Sequence, residues 1–242
     1  MAMIAGKTRL IATMALSSLL LACVPTIQTV YLTPQVQGTV MLFSPGESAN
    51  FSPLSGIAAY YPSAPEAATQ SNQQGEFLLE ASSTVEASLL MPGHSLNYYP
   101  VTVQAETFSY TVLAQASTKM LDLETVKLSS VVVSDELDGK QLLADSGPNA
   151  LKYCNLNSVK QLRREQAVHQ LLKQYYPATE QLEQPVLSYI KDQQQQTLMW
   201  LEYVKRSCNW EDEDGYPRYR DMKDAREYFA ELETSLLNQS AK

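Results

Sequence analysis

Over residues 36–43 the apolar positions recur at every second place. Val36, Gly38 and Val40 alternate with Gln37 and Thr39, and Leu42 and Phe43 close the run before the turn string Ser44-Pro45-Gly46. A period of two sends successive side chains to opposite faces of a strand. The same reading predicts strands over 56–61, 76–80, 85–91, 101–104, 108–114 and 126–133. Clusters of Pro, Gly, Asn and Ser separate them, and many short strands with such punctuation predict an all-β sandwich. From Asn149 onward the turn residues thin out and the period lengthens. Val168, Leu171, Leu172 and Tyr175 share one helical face before Pro177, whereas Leu156, Val159 and Leu162 fall on another. After Pro185 a cleaner stripe runs through Val186, Tyr189, Gln193, Thr197, Trp200 and Val204. Beyond Pro217 a last one runs through Met222, Ala225, Phe229, Leu232 and Leu236. Steps of three and four are those of one helix face. The predicted fold is therefore α+β: an N-terminal all-β sandwich followed by a C-terminal helical hairpin and a third helix. The stripes are read as the shared core of a small bundle rather than as a coiled coil, since Gln193 weakens an extended zipper. The run Gln193–Gln196 is read as a solvated helix face.

The first residues change the picture. Lys7 and Arg9 precede 13 uncharged residues, 10–22, which end Leu20-Leu21-Ala22 before Cys23. A basic start, a short apolar middle and small residues at a cleavage point describe a secretory signal peptide, and the run is short of the roughly 20 residues a membrane-spanning helix needs. The Leu-Leu-Ala-Cys string resembles the lipobox of bacterial lipoproteins. That resemblance implies cleavage before Cys23 and lipid, palmitate included, on its thiol and new amino group. With Val24 rather than Asp behind it, the family's sorting rule implies the outer membrane. The chain then divides into a signal peptide at 1–22, a lipidated tether at 23–34, a sandwich at 35–145 and a helical domain at 146–242.

The full chain carries 18 basic and 26 acidic residues, a net charge of −8, and losing Lys7 and Arg9 with the leader takes it to −10. Such a balance argues against nucleic acid as a partner. The charge is uneven: residues 24–148 hold Lys119, Lys127 and Lys140 against 12 carboxylates, whereas 149–242 are nearly neutral. The shift falls beside Asp145-Ser146-Gly147-Pro148-Asn149, a loop-forming string, and so marks a boundary. In an exported chain the two cysteines left after lipidation, Cys154 and Cys208, are expected to pair. The position midway between them, residue 181, lies in the segment bounded by Pro177 and Pro185, so a bridge there closes the open end of a helical hairpin.

The order of the sandwich residues also resembles a known family. Val36-Gln37-Gly38-Thr39-Val40 is followed by Pro53-Leu54-Ser55-Gly56-Ile57-Ala58-Ala59. Then come Thr69-Gln70-Ser71-Asn72-Gln73-Gln74-Gly75-Glu76-Phe77 and Met91-Pro92-Gly93-His94. Over about residues 35–133 this is similar to the carboxypeptidase regulatory-like domain, a transthyretin-like sandwich. Asn72 stands where that family usually has Asp, and His94 where it has Tyr. Asn keeps the side-chain-to-backbone bonds of such a turn. The resemblance implies a fold and an accessory, adhesive or assembly role, sometimes glycan binding, and no activity.

Sets of residues suited to chemistry are sparse. Gly93-His94-Ser95-Leu96-Asn97 lacks the last glycine of a nucleophile elbow, and His169 is the only other histidine, so no catalytic set is expected at Ser95. Asp212 and Asp214 before Gly215 resemble part of a calcium loop, but Trp210 occupies its first ligand position, so a solvated loop is expected and no metal or cofactor. Tyr-Tyr-Pro occurs three times, and Tyr60, Tyr61, Tyr98 and Tyr99 on the sandwich allow two readings. They form an aromatic platform for sugar rings, or one ring of each pair packs inward while its neighbour reaches water. The functional expectation is a non-catalytic structural or adaptor lipoprotein of the bacterial outer membrane, held by its N-terminal lipid and bound to an envelope protein partner. The alternatives are a glycan- or peptidoglycan-binding module, or a subunit of a secretion apparatus, by analogy with the transthyretin-like lipoprotein of the type VI machine.

Overall fold

The computed structural model describes residues 26–46, 49–88, 95–118, 125–128, 130–134, 148–177 and 184–238. Cys23, the signal segment, Met91–His94 and the 145–146 boundary lie outside them.

The alternating run becomes β2 (Gln35–Ser44), the spine of one sheet, with Val36 and Val40 turned into the sandwich core and Phe43 turned away from it. Its first half pairs antiparallel with β6 (Glu76–Leu79) and parallel with β10 (Thr125–Lys127). Its second half pairs with β3 (Asn50–Pro53) and with β11 (Val131–Val133) in the same two senses. A single strand is predicted over 126–133, but two are found. Lys127 lies opposite Gln37 and Val131 opposite Val40, a shift of one residue. The Ser130 N–H leaves the ladder there and goes to the Asp192 carboxylate, 3.1 Å away.

The second sheet is antiparallel throughout, in the order β5 (Ala64–Gln70), β4 (Ala58–Tyr61), β8 (Ser95–Gln104), β9 (Ser109–Thr118). Neither β3 nor β5 is among the predicted strands. Ile57, Ala59, Tyr61, Val101, Val103 and Val112 from this layer meet Val36, Val40, Phe77, Leu79, Val131 and Val133 from the other. Part of the segment read as a tether is also a strand: β1 (Thr26–Tyr31) pairs antiparallel with β7 (Ser83–Ser88) in a two-stranded ribbon. The pairing runs one step beyond the ribbon, where the Leu32 N–H donates to the Ser82 carbonyl at 2.9 Å.

Two glycines of the sandwich motif are fixed by close approach. A Cβ on Gly38 would lie 2.6 Å from the Phe77 ring, and one on Gly75, at φ +75°, would lie 2.5 Å from the Val40 carbonyl oxygen. Asn72 holds the same turn, its Oδ1 accepting from the Gln74 and Glu76 N–H groups at 2.9 Å each. The side-chain-to-backbone bonds expected of Asn are therefore made.

A 3₁₀ turn (Asn149–Tyr153) leads into α1 (Leu156–Tyr175), whose N-terminus Asn155 caps by accepting from the Ser158 N–H at 3.1 Å. It is followed by α2 (Val186–Arg206) and α3 (Tyr219–Asn238). A disulfide between Cys154 and Cys208 joins the start of α1 to the end of α2. The two faces read on α1 are one stripe. Val159, Leu162, Glu165, Val168 and Leu172 are all buried in steps of three and four, and the charged Glu165 in its middle hides the continuity. Leu156 is exposed and does not belong to it.

The helices share their core with the sandwich. Leu113 of β9 is buried with Leu162, Trp200, Leu201 and Phe229, and Phe43 and Val132 are buried with Val168, Leu172 and Ile190. The run Gln193–Gln196 is not a uniformly solvated face: Gln195 is exposed as expected, but Gln193 and Gln196 turn inward. Gln193 and Gln196 are 2% and 1% exposed, because both carry hydrogen bonds into the interior. Among the described residues no helix is long and apolar enough to cross a membrane.

Candidate functional site

Alternation along the strands separates the tyrosines of each pair. Tyr61 points into the core at 3% exposure and its hydroxyl donates to the Pro34 carbonyl; burial pushes its pKa up. Tyr60, next to it, faces outward and donates to Gln104. Tyr99 packs against the sandwich core, whereas Tyr98 turns to the outer face of the sheet and meets α2. The third pair is structural as well. Tyr176 stacks on Phe51 and donates to the Ala49 carbonyl at 3.0 Å, and Tyr175 lies edge-on to Phe43.

The four sandwich tyrosines therefore do not make one platform. The structure brings Tyr98 and Tyr99 together with two residues that the sequence reading did not select, Tyr203 and Arg206. β8 supplies Asn97, Tyr98 and Tyr99, the last turn of α2 supplies Tyr203 and Arg206, and Leu32 and Leu96 form the rim of a pocket of about 510 Å³. Tyr203 presents its edge to Tyr98 with ring centroids 6.1 Å apart, and is held from behind by Trp200 at 5.5 Å. The Arg206 guanidinium lies 5.3 Å from the Tyr98 ring centre, within cation–π range. The Tyr98 hydroxyl accepts from Gln115 at 3.3 Å. Spacing along α2 was the available signal: Tyr203 and Arg206 are three residues apart and share a face.

Tyr98 also borders a second groove, formed with Leu198, Met199 and Leu237 and more apolar than the first. Behind the helices lies a buried polar cluster. The Arg164 guanidinium donates to Glu165 at 2.8 Å and lies 3.2 Å from the Tyr110 ring centre. The Gln193 amide donates to both the carboxylate and the backbone carbonyl of Glu165. Glu165 takes up the Arg164 and Gln193 donors that face it, whereas the Arg164 Nε is buried without a hydrogen-bond partner among the described residues.

Ser95 opens β8 within a sheet, opposite Thr118, rather than sitting at a strand-to-helix turn. His169 is buried on α1. Asp212 holds its own loop, accepting from the Asp214 and Tyr216 N–H groups at 3.1 and 2.7 Å. Among the described residues no three His, Cys, Asp or Glu side chains gather as a metal site would require. No protein-family model matches the chain, and no curated protein matches it in sequence.

Proposed function

We propose that this chain is a lipid-anchored, non-catalytic lipoprotein of the bacterial outer membrane, serving as a structural or adaptor body in the cell envelope. Its sandwich is read as transthyretin-like, of the carboxypeptidase regulatory-like kind. The observation that carries the reading is the Leu20-Leu21-Ala22-Cys23 string, which follows a basic start and a short uncharged run. Thr26, the first residue of β1, follows Cys23 by three positions in the sequence. Cleavage before Cys23 removes none of the described fold, and three residues span at most about 11 Å, which holds the ribbon close to a lipid on Cys23. The non-catalytic part is supported by the buried polar groups, since Glu165, Arg164 and Gln193 are engaged with one another.

The test uses the full chain in cells. Cys23→Ser is expected to move the protein from the membrane fraction to the soluble one and to abolish palmitate incorporation. Photo-crosslinkers at Val85 and Tyr219, which are 68% and 75% exposed, are expected to capture one envelope protein reproducibly, with capture lost when the neighbouring surface is made charged. Membrane retention of Cys23→Ser would overturn the anchor. An absence of crosslinks from both positions would overturn the adaptor role.

A further inference from the structure

We propose that the pocket between β8 and the last turn of α2 binds a glycan whose sugars carry carboxylates. Three features select that chemistry. The rings of Tyr98 and Tyr203 stand nearly perpendicular, at 82°, so they form two walls of a corner that can cover the apolar C–H face of a pyranose ring. Beside them the exposed Asn97 adds a polar amide to the lining.

The third feature is charge. Among the described residues, this acidic chain lines the pocket with Arg206 and with no carboxylate. Glu202 approaches Arg206 only at Nε, at 3.7 Å, which leaves the outer guanidinium edge for the bidentate grip that a carboxylate accepts. Its place 5.3 Å from the Tyr98 ring centre restricts the side chain before binding, so less freedom is lost when a ligand is held. Envelope placement, which Cys23→Ser tests, supplies access to such polymers. The titration below is blind to placement, so the two readings fail separately.

The full chain in detergent micelles is titrated by calorimetry with a four-sugar galacturonic acid oligomer and with its carboxyl-reduced, neutral counterpart. The charged oligomer is expected to bind at least tenfold more tightly than the neutral one. Arg206→Gln, at an exposed position that leaves the fold intact, is expected to erase that preference while keeping the weaker neutral binding. Tyr203→Leu is expected to weaken both oligomers at least fivefold, with its thermal melt reported alongside. No heat with either oligomer, or a preference that survives Arg206→Gln, would overturn the proposal. Tighter binding of a glutamate-rich peptide than of either oligosaccharide would also overturn it, by assigning the pocket to a protein partner.

Discussion

The two long sides of the sandwich face the same difficulty and solve it differently. Where a sheet ends, its last strand presents unpaired N–H and C=O groups that invite another strand. On one side, β9 and β11 are covered by the helical hairpin, and the cover is polar where it meets the backbone. Gln196 accepts from the Leu113 N–H at 3.1 Å and donates to the Leu113 carbonyl at 3.0 Å, acting as a one-residue strand. Leu113 lies opposite Pro100, which has no N–H to offer, so both of its polar groups face outward. Asp192 takes the Ser130 N–H, and Arg164 reaches the Val132 carbonyl at 3.5 Å. On the other side β5 ends its sheet, exposed along nearly its whole length, with Pro65 and Glu66 in the strand and a register shift between Ala59 and Tyr61. The first edge is protected by distant parts of the chain, the second by its own composition. A distant cover couples the edge to global stability, whereas a local guard leaves stability alone and acts only on association.

That contrast breaks first at Glu165. Glu165→Ala leaves the Arg164 guanidinium buried beside Tyr110 without its carboxylate and deprives the Gln193 amide of one of its two acceptors. Removing one partner of a buried pair costs about 3–5 kcal/mol, and the loss is expected as a lower denaturation midpoint. Replacing Arg164 and Glu165 together with Met is expected to recover most of it. A loss under about 1 kcal/mol in the single variant would show that the covered side does not depend on this cluster.

Gln196 gives the next largest effect. Gln196→Ala orphans the N–H and C=O of a fully buried residue, and two such groups cost about 2–4 kcal/mol. Amide exchange at Leu113 should accelerate in the same variant. Gln195→Ala, one position away and exposed, is expected to stay within about 0.5 kcal/mol of the parent. If the two glutamines behaved alike, the edge-pairing account of Gln196 would be wrong.

The pair Gln195 and Gln196 also shows what was legible in the sequence. Strands that alternate over several residues, such as β2, declare themselves, and so does the bridge, because Cys154 and Cys208 sit symmetrically about the segment joining two helices. A buried glutamine does not, since its partner is a backbone group 83 residues away and nothing local distinguishes it from its solvated neighbour. Glu165 conceals the α1 stripe for the same reason. β5 escaped because an edge strand with both faces open has no reason to alternate, and Ala-Pro-Glu-Ala-Ala reads as a loop. The pocket was half legible. The tyrosines of β8 stood out as a repeat, but Tyr203 and Arg206 come from an element whose docking no local pattern reveals.

The smallest effect on stability, and the sharpest test of the contrast, is at β5. Pro65→Thr with Glu66→Val restores a backbone donor and removes a charge on an exposed strand. Both changes favour β structure without touching the core, so unfolding is expected to shift by no more than about 0.5 kcal/mol. Sedimentation velocity should nevertheless show concentration-dependent association that the parent lacks, because the freed edge can pair with that of a second copy. Glu165→Ala and Gln196→Ala act oppositely, lowering stability at any concentration before an edge is uncovered. If the β5 variant remained monomeric while unfolding at the parental midpoint, Pro65 and Glu66 would not be guards. The protection of that side would then have to come from the strand's shape, the register shift beside Tyr61 being the feature left to bear it.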